Sequence, residues 1–458
     1  MEVKKDKEGG AVCSRASPLA HTGREMGAFG PVWLMRSGTS RGPFVGLAAA
    51  AAAAAAGAAA PGARAAPRAR DARGLELLSS GEQAAVVALV GSGSPGQLCG
   101  VGGGSAVTSK ACVVAACPER GPLHVNYWFL QCLVGSAQVD ASHGDCGNML
   151  AGVGVFALGS GLVAGPEAAS RRATTVTVHS QSTGATFEVD VPVSASGAVQ
   201  YEGDAVCDGV PGSGAPVVVH SVAPGGVVTG RLWPAGGARV TVLSELPGAP
   251  RVTCIDCVRP LVIAWACDVG LEGGESKARL DADTALMERL EALRLAAGRA
   301  MGLGDCSRKV SPKLCLVAPP AAAASRVDLR ALYFVAPFER DAHPTIAMTA
   351  AQALAVACIS EGTVAAEALQ QRPAHRLYQN PQRQEQQNQQ RQELQQEPQQ
   401  RRQQRQQQPT AEWQVRIGHP GGAVDIRVET AGEQIRRTGY VRTVRPILTG
   451  QAFPASRV

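Results

Sequence analysis

Aromatic side chains and membrane-length apolar runs are both scarce in this chain of 458 residues. Aromatic residues make up 4% of the sequence, which leaves few rings to stack on nucleic-acid bases, and the net charge of +6 is modest for this length. The most continuous apolar stretch is the alanine run of residues 48–56, which is too weakly apolar to hold a helix in a bilayer. We therefore expect neither a nucleic-acid partner nor a membrane span.

Paired cysteine patterns are missing too, although the chain has 13 cysteines. An odd number of thiols, spread singly through apolar stretches, is typical of reduced and buried cysteines in an intracellular protein. The one C-x-x-C pair, Cys254 and Cys257, lacks a second pair to complete a zinc site, so we interpret it as part of a strand. No metal is expected.

Signatures of targeting and of several enzyme classes are also absent. The first ten residues, MEVKKDKEGG, are charged with mixed sign and match neither a secretory signal nor a transit peptide. Together with the unpaired thiols, this favours a cytoplasmic location, with the mitochondrion as the alternative. Nucleophile-elbow, zincin and Walker patterns do not occur in the sequence.

Two low-complexity tracts interrupt a chain that is long enough for two ordinary domains. An Ala-rich insert covers residues 48–70 and a Gln/Arg-rich insert covers residues 370–410, and neither can build an apolar core. The sequence predicts a disordered extension (residues 1–29), an N-terminal domain (30–217) and a C-terminal domain (218–440). A final segment (441–458) is expected to return to the first domain.

Between the inserts the sequence has an α+β texture. Strand-like alternation is clearest in five runs, ATTVTVHS, ATFEVDVPV, AVQYEGDAVCDGV, PVVVHSV and ARVTVLSEL. An amphipathic helix is predicted over residues 283–300, with Asp281 or Asp283 as its N-cap and glycine at its end, Gly302. Its apolar face would consist of Leu286, Leu290, Leu293 and Ala297.

Two apolar segments have matching texture, CGNMLAGVGVFALGSGLV at residues 146–163 and AMTAAQALAVACISEGTV at residues 347–364. Each begins with small and polar residues, continues long enough for a buried helix and ends in Gly-x-Val. Two similar halves, each a sheet wrapped around one central helix, would explain the repeat. Chance similarity between two Ala-rich helices is the alternative.

The first of these segments places Cys146, Gly147 and Asn148 at a predicted helix start. The unpaired N–H groups and partial positive charge of a helix start suit a carboxylate, and Gly147 would let a ligand approach the backbone. Asn148 could donate a hydrogen bond to that ligand or cap the helix. A thiol at this end has a lowered pKa, which makes Cys146 a candidate proton carrier. An ordinary capped helix with a buried cysteine is the alternative.

Glycine-rich turns supply further candidate donors, MRSGTSRG at residues 35–42 and GVGGGSAVTSK at residues 100–110. Turns and helix starts that are rich in donors and poor in acidic side chains form a receptacle for a polyanionic small molecule. For Lys313 and His343 a plain surface lysine and a capping histidine are the alternatives. The substrate-binding candidates are Arg36, Ser37, Thr39, Ser40, Gly102, Gly103, Gly104, Ser109, Gly147, Asn148, Met149, Lys313, His343 and Thr349.

Seven motifs in this order resemble the PrpF family of 2-methylaconitate cis-trans isomerases: MRSGTSRG, GVGGGSAVTSK, GDCGNMLAGVG, YEGDAVCDGVPGSGAP, MERLEALRLAAGRAMGLGD, HPGGAVDI and YVRTVRPILTGQAFP. The resemblance covers about residues 31–450 apart from the two inserts. It implies an α+β fold of the diaminopimelate-epimerase-like type, with two mirrored domains that each curl a mostly antiparallel sheet around a central helix. The active site would lie in the cleft between them.

The resemblance also implies an isomerase of unsaturated di- and tricarboxylates that needs no metal or organic cofactor. A 2-methylaconitate (aconitate) cis-trans isomerase is the first expectation, and an oxalomesaconate tautomerase or a methylitaconate Δ-isomerase is the alternative. Lys110 and Cys146 correspond to proton-transfer residues, with an uncharged Lys110 removing an allylic proton and Cys146 returning it. The N–H groups of residues 102–104 and 147–148 would hold the carboxylates and the developing enolate.

A few residues differ from the family pattern, and these differences bear on the identity of the substrate more than on the type of reaction. Ser37 and Arg41 stand where the family's first turn, GGTSKG, has glycine and lysine, and Ala350 follows Thr349 where the family reads TGA. An amino-acid epimerase would need a second cysteine at residue 347 or 348, and none is there. A scaffold protein that retains the fold without activity is the alternative of another class. The expected partner is a small polycarboxylate, with a homodimer possible in principle.

Overall fold

A computed structural model describes residues 29–47, 68–140, 144–165, 172–322, 325–335, 341–371, 378–379 and 410–452. Most of the predicted N-terminal extension, most of both low-complexity inserts and the last six residues lie outside these ranges. The boundary predicted between residues 217 and 218 falls at the start of a strand. The domain limits themselves stay predictions.

The first half of the molecule alternates strands with two helices. Its elements are β1 (Phe29–Ser37), β2 (Ser40–Leu47), α1 (Ser80–Val90), β3 (Lys110–Ala116), β4 (His124–Gln131), α2 (Gly147–Gly159), β5 (Ala173–Ser180), β6 (Thr186–Pro192), β7 (Ala205–Val206), β8 (Ser213–Gly214) and β9 (Val217–Val222).

The second half repeats this order and then adds a final strand. Its elements are β10 (Thr241–Val242), β11 (Arg251–Cys257), β12 (Arg259–Trp265), a 3₁₀ turn (Cys267–Val269), α3 (Lys277–Asp281), α4 (Thr284–Ala300), β13 (Lys313–Ala318), β14 (Leu329–Val335), β15 (Asp341–Ala342), α5 (Met348–Ile359), α6 (Val364–Gln370), β16 (Tyr378–Gln379), β17 (Thr410–His419), β18 (Gly422–Ala431), β19 (Gln434–Arg442) and β20 (Val444–Gly450).

Strand pairing shows the repeat directly. Neighbouring strands pair in the order β20-β1-β2-β3-β4-β5-β6-β9-β19-β18-β17-β14-β13-β12-β11-β10. The β2–β3 and β4–β5 pairs are parallel, and so are their counterparts β12–β13 and β14–β17. The antiparallel β9–β19 pair joins the halves, and β20 pairs with β1 although it follows the second half. This is the mirrored, mostly antiparallel arrangement expected from the sequence.

The apolar core is divided into one central cluster and two flanking ones. The central cluster contains α2 and α5 together with the inner faces of the strands of both halves, whereas α1 and α4 cover the outer faces of the strands of the first and second halves. Because α2 and α5 are almost wholly apolar, each can be surrounded by strands on several sides. They are the two central helices that the repeated segments predicted.

Local predictions succeeded where a periodic pattern was strong. Helix α4 is capped by Asp283, whose side chain accepts from the Leu286 N–H at 2.8 Å, and its predicted apolar face is buried. Cys254 and Cys257 lie fully buried in β11, as expected of a strand. The run AVQYEGDAVCDGV was wrong as a continuous strand, since pairing there is limited to an isolated bridge at Val199 and the two residues Ala205–Val206. Among the described helices, none alone is long and apolar enough to cross a membrane; α5 and α6 pass that test only as a pair, bent by 67°.

Candidate active site

The residues predicted for proton transfer meet at the start of α2. The Lys110 Nζ donates to the Cys146 Sγ at 3.3 Å and lies 3.3 Å from the Ser40 Oγ. Lys110 opens β3, and alternation along this strand turns Cys112 and Val114 toward the central cluster while Ala111 and Val113 face α1. The same alternation turns Lys110 inward, so the lysine is held against the thiol with 8% of its surface exposed.

The environment of Cys146 favours the thiolate. Burial raises the pKa of the thiol, but the Lys110 charge and the backbone N–H groups of Met149 and Asn148 outweigh burial and leave the pKa below its ordinary value. Cys146 is the N-cap residue of α2, where the helix dipole adds to the same effect. A thiolate beside an ammonium group can exchange a proton without further movement.

The carboxyl group of Asp145, directly before the cysteine, was not predicted as part of the site. It accepts hydrogen bonds from the Ser180 Oγ at 2.6 Å and from the Thr183 Oγ1 at 2.5 Å. Burial raises the pKa of this carboxyl, and the two hydroxyl groups together with Arg259 oppose the rise. These bonds fix the segment that leads into α2 and therefore the position of the thiol.

The turn between β1 and β2 is fastened to the same helix start. The Ser37 Oγ donates to the Asn148 backbone O at 2.5 Å, and the Asn148 Nδ2 donates to the Thr39 Oγ1 at 2.9 Å. Gly38 allows this close approach, because its φ of +54° suits glycine and an added Cβ would overlap the Asn148 side chain. The turn therefore brings together four of the predicted substrate-binding residues, Ser37, Thr39, Ser40 and Asn148. Ser37 itself is fully buried.

Arg36 has a different role from the predicted contact with substrate. Its Nη1 donates to the Thr443 backbone O at 2.8 Å and to the Thr443 Oγ1 at 3.1 Å. Burial lowers the pKa of its guanidinium. Arg36 therefore ties the junction of β19 and β20 to the first half, and a direct contact with substrate remains a prediction.

The glycine-rich loop before β3 corrects one expectation. The Gly102 N–H donates to the Val90 O at 3.1 Å, and the Gly104 N–H donates to the Gln97 Oε1 at 2.9 Å, so neither amide is available to a carboxylate. Ser109 is fully buried and accepts from the Gln97 Nε2 at 2.6 Å. The loop is folded on itself around Gln97 and positions Lys110, while Gly103 stays an untested candidate.

Packing requires a glycine at residue 147, and the predicted contact of Gly147 with a ligand stays a prediction. An added Cβ would lie 2.7 Å from the Tyr440 Oη and 2.9 Å from the Met348 Cβ. The Tyr440 Oη donates to the Gly147 O at 2.9 Å. The glycine therefore lets the starts of α2 and α5 meet. Met149, another predicted binding residue, is fully buried in the central cluster.

Three binding candidates were predicted in the second half, and they differ in their distance from the place where the starts of α2 and α5 meet. Thr349 is the second residue of α5, next to the Met348 that contacts Gly147, and it is partly exposed. The His343 Nδ1 accepts from the Thr345 N–H at 3.0 Å, and its ring packs edge-on against Tyr333. Lys313 opens β13 as Lys110 opens β3, and no described contact joins it to Cys146.

Besides Asp145, two further residues of the site escaped sequence reasoning, His419 and Arg442. Burial lowers the pKa of His419 to about 4, with Asp208 opposing and Arg442 and His343 adding to the effect, so these groups lie close together. The Arg442 Nε donates to the Asn148 Oδ1 at 2.9 Å. Both residues belong to the motifs HPGGAVDI and YVRTVRPILTGQAFP, whose polar residues were the available indication.

The two helix starts differ chemically. Ala347 is the N-cap of α5, and Cys358 lies near the end of that helix, roughly 16 Å along its axis at 1.5 Å per residue. In the part of the chain that the structure describes, the start of α5 carries no thiol, and no group of three His, Cys, Asp or Glu side chains could hold a metal ion. The arrangement can move a proton with one amine and one thiol.

This architecture, two mirrored halves around two central helices, is the diaminopimelate-epimerase-like fold. A methylitaconate-delta-isomerase crystal structure superimposes with a TM-score of 0.67 at 24% identity, covering 92% of this chain and 95% of the other. This likeness shows the fold that the sequence predicted.

Family membership follows from the sequence comparisons. The model of the PrpF protein family matches residues 30–377. The chain is 40% identical over 289 residues to a (4E)-oxalomesaconate Delta-isomerase from Novosphingobium sp. (strain KA1), covering 63% of this chain and 76% of that protein. It is 32% identical over 301 residues to a 2-methyl-aconitate isomerase from Shewanella oneidensis (strain ATCC 700550), covering 64% and 70%. The chain belongs to the PrpF family and is an isomerase.

Proposed function

We propose that the chain isomerises unsaturated tricarboxylates or dicarboxylates by moving a proton between allylic carbons, with Lys110 and Cys146 as the catalytic residues. The 3.3 Å contact between the Lys110 Nζ and the Cys146 Sγ at the start of α2 carries the proposal. An amine and a thiol in contact provide one group to take a proton and another to return it.

The chemistry needs no redox step. Transfer of a proton from the Lys110 ammonium group to the Cys146 thiolate gives the reactive amine and thiol. The Lys110 amine then removes a proton from a carbon next to the double bond, and the electron pair spreads into the conjugated carboxylate as a dienolate. The former double bond gains single-bond character and can rotate. Return of the proton to the same carbon gives cis–trans isomerisation, whereas return to the far end of the allyl system shifts the double bond.

Cys146 completes the cycle. With a lowered pKa, its thiol can give a proton to the dienolate and recover one from the Lys110 ammonium group at 3.3 Å. The helix start beside it stabilises the negative charge that develops on the carboxylate. Asn148, held by Thr39 and Arg442, limits where the substrate can lie.

Two substrates follow from different observations. The family motifs favour cis–trans isomerisation of 2-methylaconitate. The 40% identity to an oxalomesaconate Delta-isomerase, against 32% to a 2-methyl-aconitate isomerase, favours a double-bond shift in 4-oxalomesaconate as the second candidate. Both substrates present several carboxylates around one allylic system.

The test is a substrate panel followed by proton NMR in D₂O. Pure protein is incubated with trans-aconitate, 2-methylaconitate, methylitaconate and 4-oxalomesaconate, and new isomers and deuterium at the allylic carbons are recorded. We expect turnover with at least one substrate and its loss in Lys110→Ala. If no panel member changes in the presence of the correctly folded wild-type protein, the scaffold alternative is favoured and the proposal fails.

A further inference from the structure

Arg442 joins the two halves at the helix junction. It is the last residue of β19, and its Nε donates to the Asn148 Oδ1 at 2.9 Å while its Nη1 donates to the Val441 O at 2.8 Å. Its Nη2 contacts the Met348 sulfur. One guanidinium group thus touches the second residue of α2 and the first residue of α5.

This guanidinium has polar neighbours, including the thiols of Cys146 and Cys207 that oppose the effect of burial on its pKa, but no carboxylate is paired with it in the described residues. Burial lowers its pKa, and none of the acidic side chains in the described residues forms an ion pair with it. Its ring neighbour, Tyr440, lies with its centroid 5.2 Å from the guanidinium carbon. Arginine keeps its charge in such surroundings, and a half-buried cation is stabilised by a carboxylate that accepts its N–H groups. A carboxylate of a bound ligand would supply the partner that the described acidic side chains do not.

Arg437 on the same strand shows what a satisfied arginine looks like here. Its Nε donates to the Glu429 Oε2 at 2.6 Å and its Nη1 to the Glu188 Oε2 at 3.1 Å. The pKa of Arg437 is raised overall, because the favourable effect of the two carboxylates is larger than the opposing effect of burial. The difference between the two arginines is the absence of carboxylates around Arg442, not the strand on which they lie.

We propose that Arg442 binds a carboxylate of the substrate, the one farthest from the carbon that Lys110 deprotonates. The inference rests on the proposed function and names the residue that selects for a second or third carboxylate. Arg442 is partly exposed, so its remaining N–H groups can reach a ligand. The starts of α2 and α5 on either side add partial positive charge.

Geometry then determines how the substrate is oriented. Asn148 bridges Arg442 and Thr39, and it lies two residues after Cys146. A carboxylate on Arg442 therefore lies at a fixed separation from the thiol and from Lys110. A substrate that has no carboxylate at that separation can bind, but its allylic carbon is not held in line with the Lys110 amine.

The test uses propane-1,2,3-tricarboxylate, which has no double bond and cannot react. Its dissociation constant is measured by calorimetry for the wild type, Arg442→Gln, Arg442→Lys and the control Arg436→Gln, which changes an exposed arginine on the same strand. Charge-assisted contacts of this kind are worth about 10- to 100-fold in affinity, so Arg442→Gln should weaken binding by that factor. Arg442→Lys should recover part of the loss, and Arg436→Gln should bind as the wild type does.

Melting curves of all four proteins exclude misfolding as the cause, and Arg442→Lys serves as the variant if Arg442→Gln does not fold. Equal affinity in the wild type and in the folded Arg442 variants would overturn the inference, as would no binding by the wild type. The Lys110→Ala background separates this test from that of the proposed function, because turnover should be lost there while Arg442→Gln should still weaken binding of the tricarboxylate by the same factor. Arg442-dependent binding with no turnover of any panel substrate would support this subsite and reject the proposed reaction.

Discussion

Equivalent positions in the two halves of the molecule carry different side chains. The first half starts β3 with Lys110 and caps α2 with Cys146, and the second half starts β13 with Lys313 and caps α5 with Ala347. Both lysines belong to strands whose next inward residue is a cysteine two positions on, Cys112 or Cys315. The two halves therefore repeat the strand order, the placement of the central helix and the lysine that begins the strand. They do not repeat the thiol at the helix start.

Under the proposed function, this difference teaches that the fold duplicates a binding environment and leaves the acid–base chemistry to one side. Two helix starts meet at Gly147 and Met348 and together favour anions. A pair of opposed thiols would permit inversion at a carbon, each working on one face. With one amine and one thiol on the same side, the arrangement suits removal and return of a proton on a planar allylic system.

The largest expected effect is on Lys110. Lys110→Ala should lower turnover by about 10³-fold, because the base is lost, while the fold is kept. Lys313→Ala, at the equivalent position of the second half, should lower turnover less than tenfold, a rough bound for a residue outside the proton-transfer pair. Initial rates by NMR and circular dichroism measure both. Comparable losses in the two variants would mean that the halves share the chemistry.

The next effect concerns Cys146. Its lowered pKa means that alkylation by iodoacetamide should reach half of its maximal rate at a lower pH than at Cys267, an exposed thiol whose pKa is raised by partial burial and by Asp268. Lys110→Ala should move the Cys146 midpoint upward, since the nearby charge is removed. Peptide mass spectrometry over a pH series separates the two sites. A Cys146 midpoint above that of Cys267 contradicts the assigned ion pair.

Moving the thiol tests the asymmetry itself. Cys146→Ser should lower turnover by about 10²-fold through loss of the proton donor. Adding Ala347→Cys to that variant should not restore activity, because the new thiol would stand at the other helix start without Lys110. The rates of the single and double variants are compared with that of Ala347→Cys alone. Restoration would show that either helix start can serve the reaction.

A stability effect is expected from His419 on the second half. Its pKa falls from the ordinary 6.5 to about 4 on folding, so the folded protein favours the neutral ring. The stabilisation is fully present above pH 6.5 and decreases as the pH falls toward 4, by at most about 3 kcal/mol. His419→Asn should therefore show a shallower loss of unfolding free energy between pH 7 and pH 4. Parallel curves for variant and wild type would contradict this assignment.

The smallest effect concerns the contact between the halves. Gly147→Ala should destabilise the fold by about 1–3 kcal/mol, because the new methyl group overlaps the Tyr440 Oη and the Met348 Cβ. Tyr440→Phe in the same chain should recover part of the loss. Gly81→Ala in α1, where an added Cβ meets nothing within 4 Å, is the matched control and should be neutral or slightly stabilising. Denaturant unfolding measures all three; equal values for the two alanine variants would refute the contact.

Much of the fold could be predicted from the sequence because its information is periodic. The spacing of Leu286, Leu290 and Leu293 identified α4, and the matching texture of two segments identified α2 and α5. The strand predicted from AVQYEGDAVCDGV was wrong, because alternation over a few residues does not specify which strand will pair with them. In the site, the helix-start logic found Cys146 and Asn148, whereas the amides of Gly102 and Gly104 were misassigned because Gln97 and Val90 occupy them from elsewhere in the loop.

By itself the sequence determined which face of α4 is apolar, where α2, α4 and α5 begin, and that a thiol stands at one helix start. The tertiary structure alone decided that Lys110 and Cys146, 36 residues apart, come within 3.3 Å, and that Arg442 reaches Asn148 across 294 residues. The reason is physical: periodicity and capping are local properties of consecutive residues, but contacts between distant residues depend on how whole elements pack. That packing also places Arg442 between the starts of α2 and α5, with no carboxylate paired to it in the described residues.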